Sequence, residues 1–174
     1  MRVISGKYKG KKLIGFDIDG TRPTMDRVKE SLFGMIQNYI KDSVVLDLFA
    51  GSGSLGIEAL SNDAKEVYFV DNNIKLINII KENTKDISGA NIIKSDYMNA
   101  LSSLKDKKFD VIFLDSPYKL NLINDCLNKI FEYNMLSDEG IIICEYENEN
   151  INNANFNIIK EKKYGSKNIR IYKL

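Results

Sequence analysis

From residue 44 onward the chain alternates short apolar runs with segments of helical period, and this alternation limits the fold more tightly than any other feature of the sequence. Runs at 44–49, 66–71, 91–94, 110–114 and 140–145 read as strands, separated by helical patterns at 54–61, 74–87, 97–104 and 120–135. Strands joined through helices form right-handed βαβ units in a parallel sheet. The end of the chain differs. Residues 156–160 and 168–172 read as strands with only 161–167 between them, too short for a helical crossover, so this pair is expected to run antiparallel. The expected fold class is α/β, a doubly wound, mostly parallel sheet closed by a C-terminal antiparallel hairpin. Ahead of it, Gly6, Gly10, Gly15 and Gly20 punctuate β-like stretches that suggest one or two hairpins. Thr24 is placed to cap a helix whose apolar face is Val28, Leu32, Met35, Ile36 and Ile40. The division follows: an N-terminal hairpin-and-helix extension over 1–40 and a main domain over 41–174.

A chain of 174 residues, 44% hydrophobic and 28% charged, supports one good core. No apolar run approaches the ~20 residues that a spanning helix needs. Met1 is followed by Arg2, Lys7, Lys9, Lys11 and Lys12 without a longer apolar stretch, so neither a signal peptide nor a membrane association is expected, and the location is expected to be cytoplasmic. Cys126 and Cys144 sit among aliphatic residues, as buried small hydrophobes do. The chain has no histidine, which removes Ser-His-Asp and Cys-His catalysis, imidazole bases and His-based metal sites together. No metal is expected. Chemistry here must use carboxylates, backbone groups, Tyr, Lys or a cofactor.

Gly51-Ser52-Gly53-Ser54-Leu55-Gly56 places Gly-x-Gly-x-x-Gly where the first core strand turns into a helix. Glycines let a ligand touch the backbone there, and the helix start supplies N–H groups. A plain tight turn is the other reading. Asp71 ends the second strand 20 residues after Gly51, where a carboxylate can accept both hydroxyls of a ribose. That suits either a nicotinamide dinucleotide or S-adenosylmethionine. Asp47, inside the strand before the loop, suits a ligand bearing ammonium and sulfonium charges better than a pyrophosphate. Asp96, with Tyr97 and Met98 beside it, is placed to meet an adenine amino group or else to cap a helix.

Asp115-Ser116-Pro117-Tyr118 terminates the strand at 110–114, on the carboxyl edge where open α/β sheets bind ligands. Asp115 offers an acceptor, Pro117 removes an N–H, and Tyr118 gives a flat face on which a base can stack. The group suits methyl transfer to the exocyclic amine of a nucleobase, whose lone pair is localised by acceptors at its N–H bonds. A simple strand-end turn is the alternative.

Net charge is only +1, yet residues 1–29 hold eight basic and three acidic groups, and three of the four arginines. A solvated basic surface and a polyanion-binding face, with Tyr8 set between Lys7 and Lys9, both fit this distribution. Tyr164-Gly165-Ser166-Lys167 reads as a plain turn, or as a loop on the substrate side.

Taken together these residues resemble a class I S-adenosylmethionine-dependent methyltransferase, and more narrowly the RsmD family of 16S rRNA (guanine-N2)-methyltransferases. The likeness lies in Arg2 to Gly10, in Thr21-Arg22-Pro23-Thr24 with Arg27, Lys29 and Glu30, in Asp47 to Gly56 and in Asp115 to Tyr118. It implies a Rossmann-like methyltransferase sheet over 41–174 and an RNA-facing extension over 1–40. By the same resemblance Asp47, Phe49, Gly51, Gly53, Asp71, Asn72, Asp96 and Tyr97 would hold S-adenosyl-L-methionine, and Asp115, Ser116, Pro117 and Tyr118 would form the target-amine pocket. Arg2, Lys7, Lys9, Arg22 and Arg27 would meet RNA. The implied partner is 16S rRNA within the small ribosomal subunit or an assembly intermediate, met by a monomer. One departure stands out: the family's usual Asp-Pro-Pro-Tyr is Asp-Ser-Pro-Tyr here, which implies a less rigid loop. Other readings of the residues are an amino-methyltransferase acting on adenine or cytosine of DNA, a nicotinamide-dependent dehydrogenase, and a non-catalytic RNA-binding assembly factor.

Overall fold

The computed structural model describes residues 1–15, 22–116, 122–148 and 150–174, with residues 22–25 described as backbone only. Its elements run α1 (Arg22–Ile40), β1 (Val44–Asp47), α2 (Ser54–Ser61), β2 (Glu66–Asp71), α3 (Ile74–Thr84), β3 (Ala90–Lys94), α4 (Tyr97–Ser103), β4 (Phe109–Leu114), α5 (Ile123–Glu132), β5 (Leu136–Tyr146), β6 (Asn157–Tyr164) and β7 (Lys167–Lys173). The seven strands form one sheet in the order β3-β2-β1-β4-β5-β7-β6. β1 to β5 pair in parallel, whereas β7 is antiparallel to both β5 and β6. This is the doubly wound sheet with a terminal hairpin that the alternation predicts.

The central strands read as unbroken apolar runs because both of their faces are buried. On one face Val45, Val67, Phe69, Val111, Phe113, Ile141, Ile143, Ile169 and Ile171 share a core with α1, α2 and α3. On the other, Leu46, Tyr68, Val70, Ile112, Leu114, Ile142 and Cys144 pack with α4 and α5. Both cysteines are buried there, and neither is in a disulfide. Gly56 lets α2 lie on β2, because a Cβ at that position would stand 2.3 Å from the Phe69 ring. Among the described residues no helix is long and apolar enough to cross a membrane.

Several bounds differ from expectation. Among the described residues the expected N-terminal hairpins are represented by one antiparallel bridge, Arg2 to Lys12. Helix α1 starts at Arg22, so Thr24 lies within it rather than capping it. Its buried face includes Phe33, while Met35 is only half-buried. Helix α3 stops at Thr84, and β5 starts at Leu136, running through polar Ser137, Asp138 and Glu139. β6 extends to Tyr164, leaving only Gly165 and Ser166 as the turn. That strand lies at the sheet edge and is exposed along nearly its whole length, so pairing with β7 holds it rather than an apolar alternation.

The first residues belong to the same core as the sheet. Val3 and Leu13 are buried in the cluster shared by α1 and α2. Gly6 makes the close approach possible: its φ is 75°, and a Cβ there would fall 1.8 Å from the Ser61 carbonyl oxygen. Main-chain N–H groups of Lys7 and Tyr8 then donate to the Ser61 carbonyl and hydroxyl at 2.8 and 2.9 Å.

Candidate active site

The loop after β1 is built by main-chain bonds and one carboxylate. The Ala50 N–H donates to the Val70 carbonyl at 2.9 Å, and the Gly53 N–H to the Ala50 carbonyl at 2.7 Å. Gly51 needs its missing side chain for conformation alone, since its φ is 57° and a Cβ there would meet nothing within 4 Å. Its N–H donates to Asp71 Oδ2 at 3.1 Å, and Asp71 Oδ1 accepts from the Asn73 N–H at 2.8 Å. Two main-chain donors thus fix the carboxylate while leaving lone pairs for a ligand's hydroxyls. Asn72 is exposed beside it.

Across the loop, Phe49 and Tyr97 meet with ring centroids 5.8 Å apart. Asp96 caps α4, accepting from the Asn99 N–H at 3.0 Å, and that bond holds its carboxyl below the usual range, so it stays ionised. Asp47 is placed differently from the other acids. It is 2% exposed and accepts from the Gly56 N–H at 3.0 Å, tying the first turn of α2 to the end of β1. Burial pushes its pKa up to about 7, against the Gly56 hydrogen bond and with a smaller push from Asp71.

The second group of residues gathers at the ends of β4, β5 and β7. Asp115 follows the last residue of β4, and Leu114 lies opposite Cys144, so Asp115 stands next to Glu145. Glu145 forms an ion pair with Lys167 at the start of β7. With Lys29, Ser54 and Tyr164 these three line one cavity, so the cavity begins where α2 leaves the glycine loop. Tyr164 is held over it by a hydroxyl-to-hydroxyl hydrogen bond to Ser31 of α1. Burial raises the Asp115 pKa to about 8, with Glu145 and Asp47 pushing the same way and Lys167 opposing them. Ser116 is 3% exposed, and its hydroxyl has no hydrogen-bond partner among the described residues. Pro117 and Tyr118 lie outside the described residues.

Glu145 escaped the sequence reading and Lys167 entered it only as part of a turn or substrate-side loop, although a signal existed for both. The core face of each strand alternates Val111 and Phe113, Ile141 and Ile143, Ile171 and Ile169. The next positions on those stripes are Asp115, Glu145 and Lys167.

The N-terminal basic residues have varied surroundings. The Arg2 side chain is 66% exposed and pairs with Asp26 at 3.4 Å, and Lys7 lies over the Tyr8 ring at 5.2 Å. Lys9 and Arg27 are exposed, and the Arg22 side chain lies outside the described residues. Lys29, counted with the basic segment by sequence, is buried instead. Its ammonium meets Glu58 at 3.0 Å and donates to the Arg2 carbonyl at 2.7 Å and to Ser54 Oγ at 3.1 Å. Glu58 is fully buried and also accepts from the Ile4 and Ser5 N–H groups and the Ser5 hydroxyl.

A sheet of this order, with a glycine loop after its first strand and acidic residues closing the next two, is the class I methyltransferase fold. The profile of the family described as Conserved hypothetical protein 95 matches residues 1–173. The chain is 44% identical over 154 residues to the Bacillus subtilis protein YlbH, covering 86% of this chain and 84% of that one. It is 37% identical over 179 residues to Ribosomal RNA small subunit methyltransferase D of Haemophilus influenzae, covering 99% and 93%. The solved structure of the Escherichia coli protein yhhF matches with a TM-score of 0.87 at 33% identity, over 99% of this chain and 96% of that one. The chain belongs to this family, the S-adenosylmethionine-dependent methyltransferases of the RsmD type.

The residues fit that cofactor. Asp71, fixed by two main-chain donors, would take the ribose hydroxyls, and Asp96 with the Phe49 and Tyr97 rings would face the adenine. Asp47 and Asp115 are buried carboxyls with raised pKa values, and a cationic group beside them would favour their ionised forms.

Proposed function

We propose that this protein methylates the exocyclic N2 of a guanine in bacterial 16S rRNA, within the small ribosomal subunit or an assembly intermediate. The observation that carries this reading is Asp115, a carboxyl at the end of β4 that opens on the cavity reached from the glycine loop. The Haemophilus relative, named as a small-subunit methyltransferase and aligned over nearly the whole chain, supports the ribosomal substrate. The protein acts as a monomer in the bacterial cytoplasm, with residues 1–40 as its RNA-facing portion and Arg2, Lys7, Lys9, Arg22 and Arg27 meeting phosphates.

The bound cofactor supplies a methyl group on a sulfonium centre. Asp115 accepts a hydrogen bond from the target N2–H, which draws the lone pair out of the ring and toward the methyl carbon. As N2 takes up the methyl group it gains positive charge, and Asp115 takes its proton. A pKa near 8 suits a group that accepts a proton at neutral pH. Pro117 and Tyr118 are assigned to the target-amine pocket with Asp115, the tyrosine as a stacking partner for the base. The guanine must leave its stack to reach the sheet edge.

The test is transfer of labelled methyl to small subunits from cells lacking the corresponding enzyme, with naked rRNA and DNA in parallel, followed by nucleoside analysis. N2-methylguanosine on the subunits, lost with Asp115→Ala, is the expected result. Label in DNA alone, or in no nucleic acid despite cofactor binding, overturns the reading.

A further inference from the structure

We infer that Lys167 and Glu145, together with Asp115, read the Watson–Crick edge of the target base and make the site selective for guanine. This assignment rests on the guanine-N2 reading above and names the residues that would enforce it.

β4, β5 and β7 are neighbours, and the three side chains occupy the same face, each continuing an inward apolar stripe to its last position at the ligand-binding edge. Glu145 lies opposite Ile169. Lys167 is two residues before Ile169 and therefore shares its face, within diagonal reach of Glu145. The ion pair between them realises that reach. All three line one cavity, with the Glu145 side chain 13% exposed and Lys167 32% exposed, so this pair belongs to the cavity wall rather than to the open surface.

Read across the strands, the wall presents a donor at Lys167, an acceptor at Glu145 and an acceptor at Asp115. Guanine presents the complement in the same sequence: O6 accepts, N1–H donates and N2–H donates. Adenine offers a donor amine and a ring acceptor where O6 and N1–H stand in guanine, so it opposes both Lys167 and Glu145. An ammonium has three donors and a carboxylate two oxygens, so the pair can keep its mutual bond while each member also meets the base. Lys167 thereby holds Glu145 in place in the cavity wall. Matched hydrogen bonds of this kind discriminate by about 1–3 kcal/mol per pair, or roughly 10–100-fold.

The experiment compares small subunits reconstituted on 16S rRNA carrying either guanine or 2,6-diaminopurine at the methylated position. Diaminopurine keeps the N2 amine while replacing O6 with an amine and N1–H with a lone pair. The wild type is expected to prefer guanine by about 100-fold or more in kcat/KM, as two mismatched bonds require. Glu145→Gln and Lys167→Met are each expected to lower kcat/KM on guanine by about tenfold and to shrink that preference to within about tenfold. Cofactor affinity, measured by equilibrium titration, should stay within twofold. The assignment falls if either variant keeps the wild-type preference, whether its rates on both substrates are unchanged or fall in parallel. A wild-type enzyme that labels no guanine N2 sinks the functional reading itself, and this assignment with it.

Discussion

Glu58 and Asp115 are both carboxyls enclosed by protein close to the cofactor loop, and they are furnished in opposite ways. Glu58 meets an ammonium, two main-chain N–H groups and a hydroxyl, so each of its oxygens is occupied. Asp115 accepts no hydrogen bond from a described residue, and burial with the nearby charges of Glu145 and Asp47 lifts its pKa to about 8. The first arrangement fixes the chain. The second leaves a carboxyl with no described hydrogen-bond donor, and a group kept short of partners inside a protein is suited to accept one.

The largest expected effect comes from breaking the furnished site. Glu58→Ala leaves Lys29 charged in the core and takes the acceptor from the Ile4 and Ser5 N–H groups, at a cost of about 3–5 kcal/mol. For a chain of this size that is a fall in melting temperature of roughly 10 °C or more, read by calorimetry. Lys29→Met should cost less, because three donors still hold Glu58. Asp115→Ala should invert the pattern, lowering methyl transfer by about 10²–10⁴-fold with the melting temperature kept or raised.

The two sites also separate by pH. On the proposed mechanism transfer needs ionised Asp115, so the single-turnover rate is expected to rise with pH through a midpoint near 8 and level off above it, and Asp115→Asn should remove that limb. Stability runs the other way. Asp47 and Asp115 titrate at about 7 and 8 in the folded protein, against 3.8 for a model carboxyl, so the folded state holds more protons across that window. Their contribution is full below pH 4 and is lost as pH rises toward 8. Melting temperature should therefore fall from pH 4 to pH 8, and Asp47→Asn or Asp115→Asn should flatten the slope. The smallest effect belongs to Ser116→Ala, which removes a buried hydroxyl that has no partner among the described residues and should raise stability by about 1 kcal/mol.

The order of elements was legible because each central strand is buried on both faces and each helix has its own period. Helix 54–61 and strand 66–71 match to the residue. Edges were less legible: β6 carries Lys160, Glu161, Lys162 and Lys163 in succession, and only its ladder with β7 makes it a strand there. In the site, the glycine loop and the acids at 47, 71, 96 and 115 could be located by position relative to a strand end. Glu145 and Lys167 needed the strand order as well, since only the placement of β7 beside β5 brings residues 22 positions apart into one ion pair. The Lys29 to Glu58 pair left no sequence signal beyond a lone acid in an otherwise uncharged helix.

That pair also sets how the start of the chain moves. Terminal residues ordinarily fray and exchange their amide hydrogens at once. Here the amides of Ile4 and Ser5 end on a carboxylate with no solvent exposure, on the helix that follows the glycine loop. Their exchange with deuterium is therefore governed by the opening of α2, and the first residues of this protein keep time with its centre.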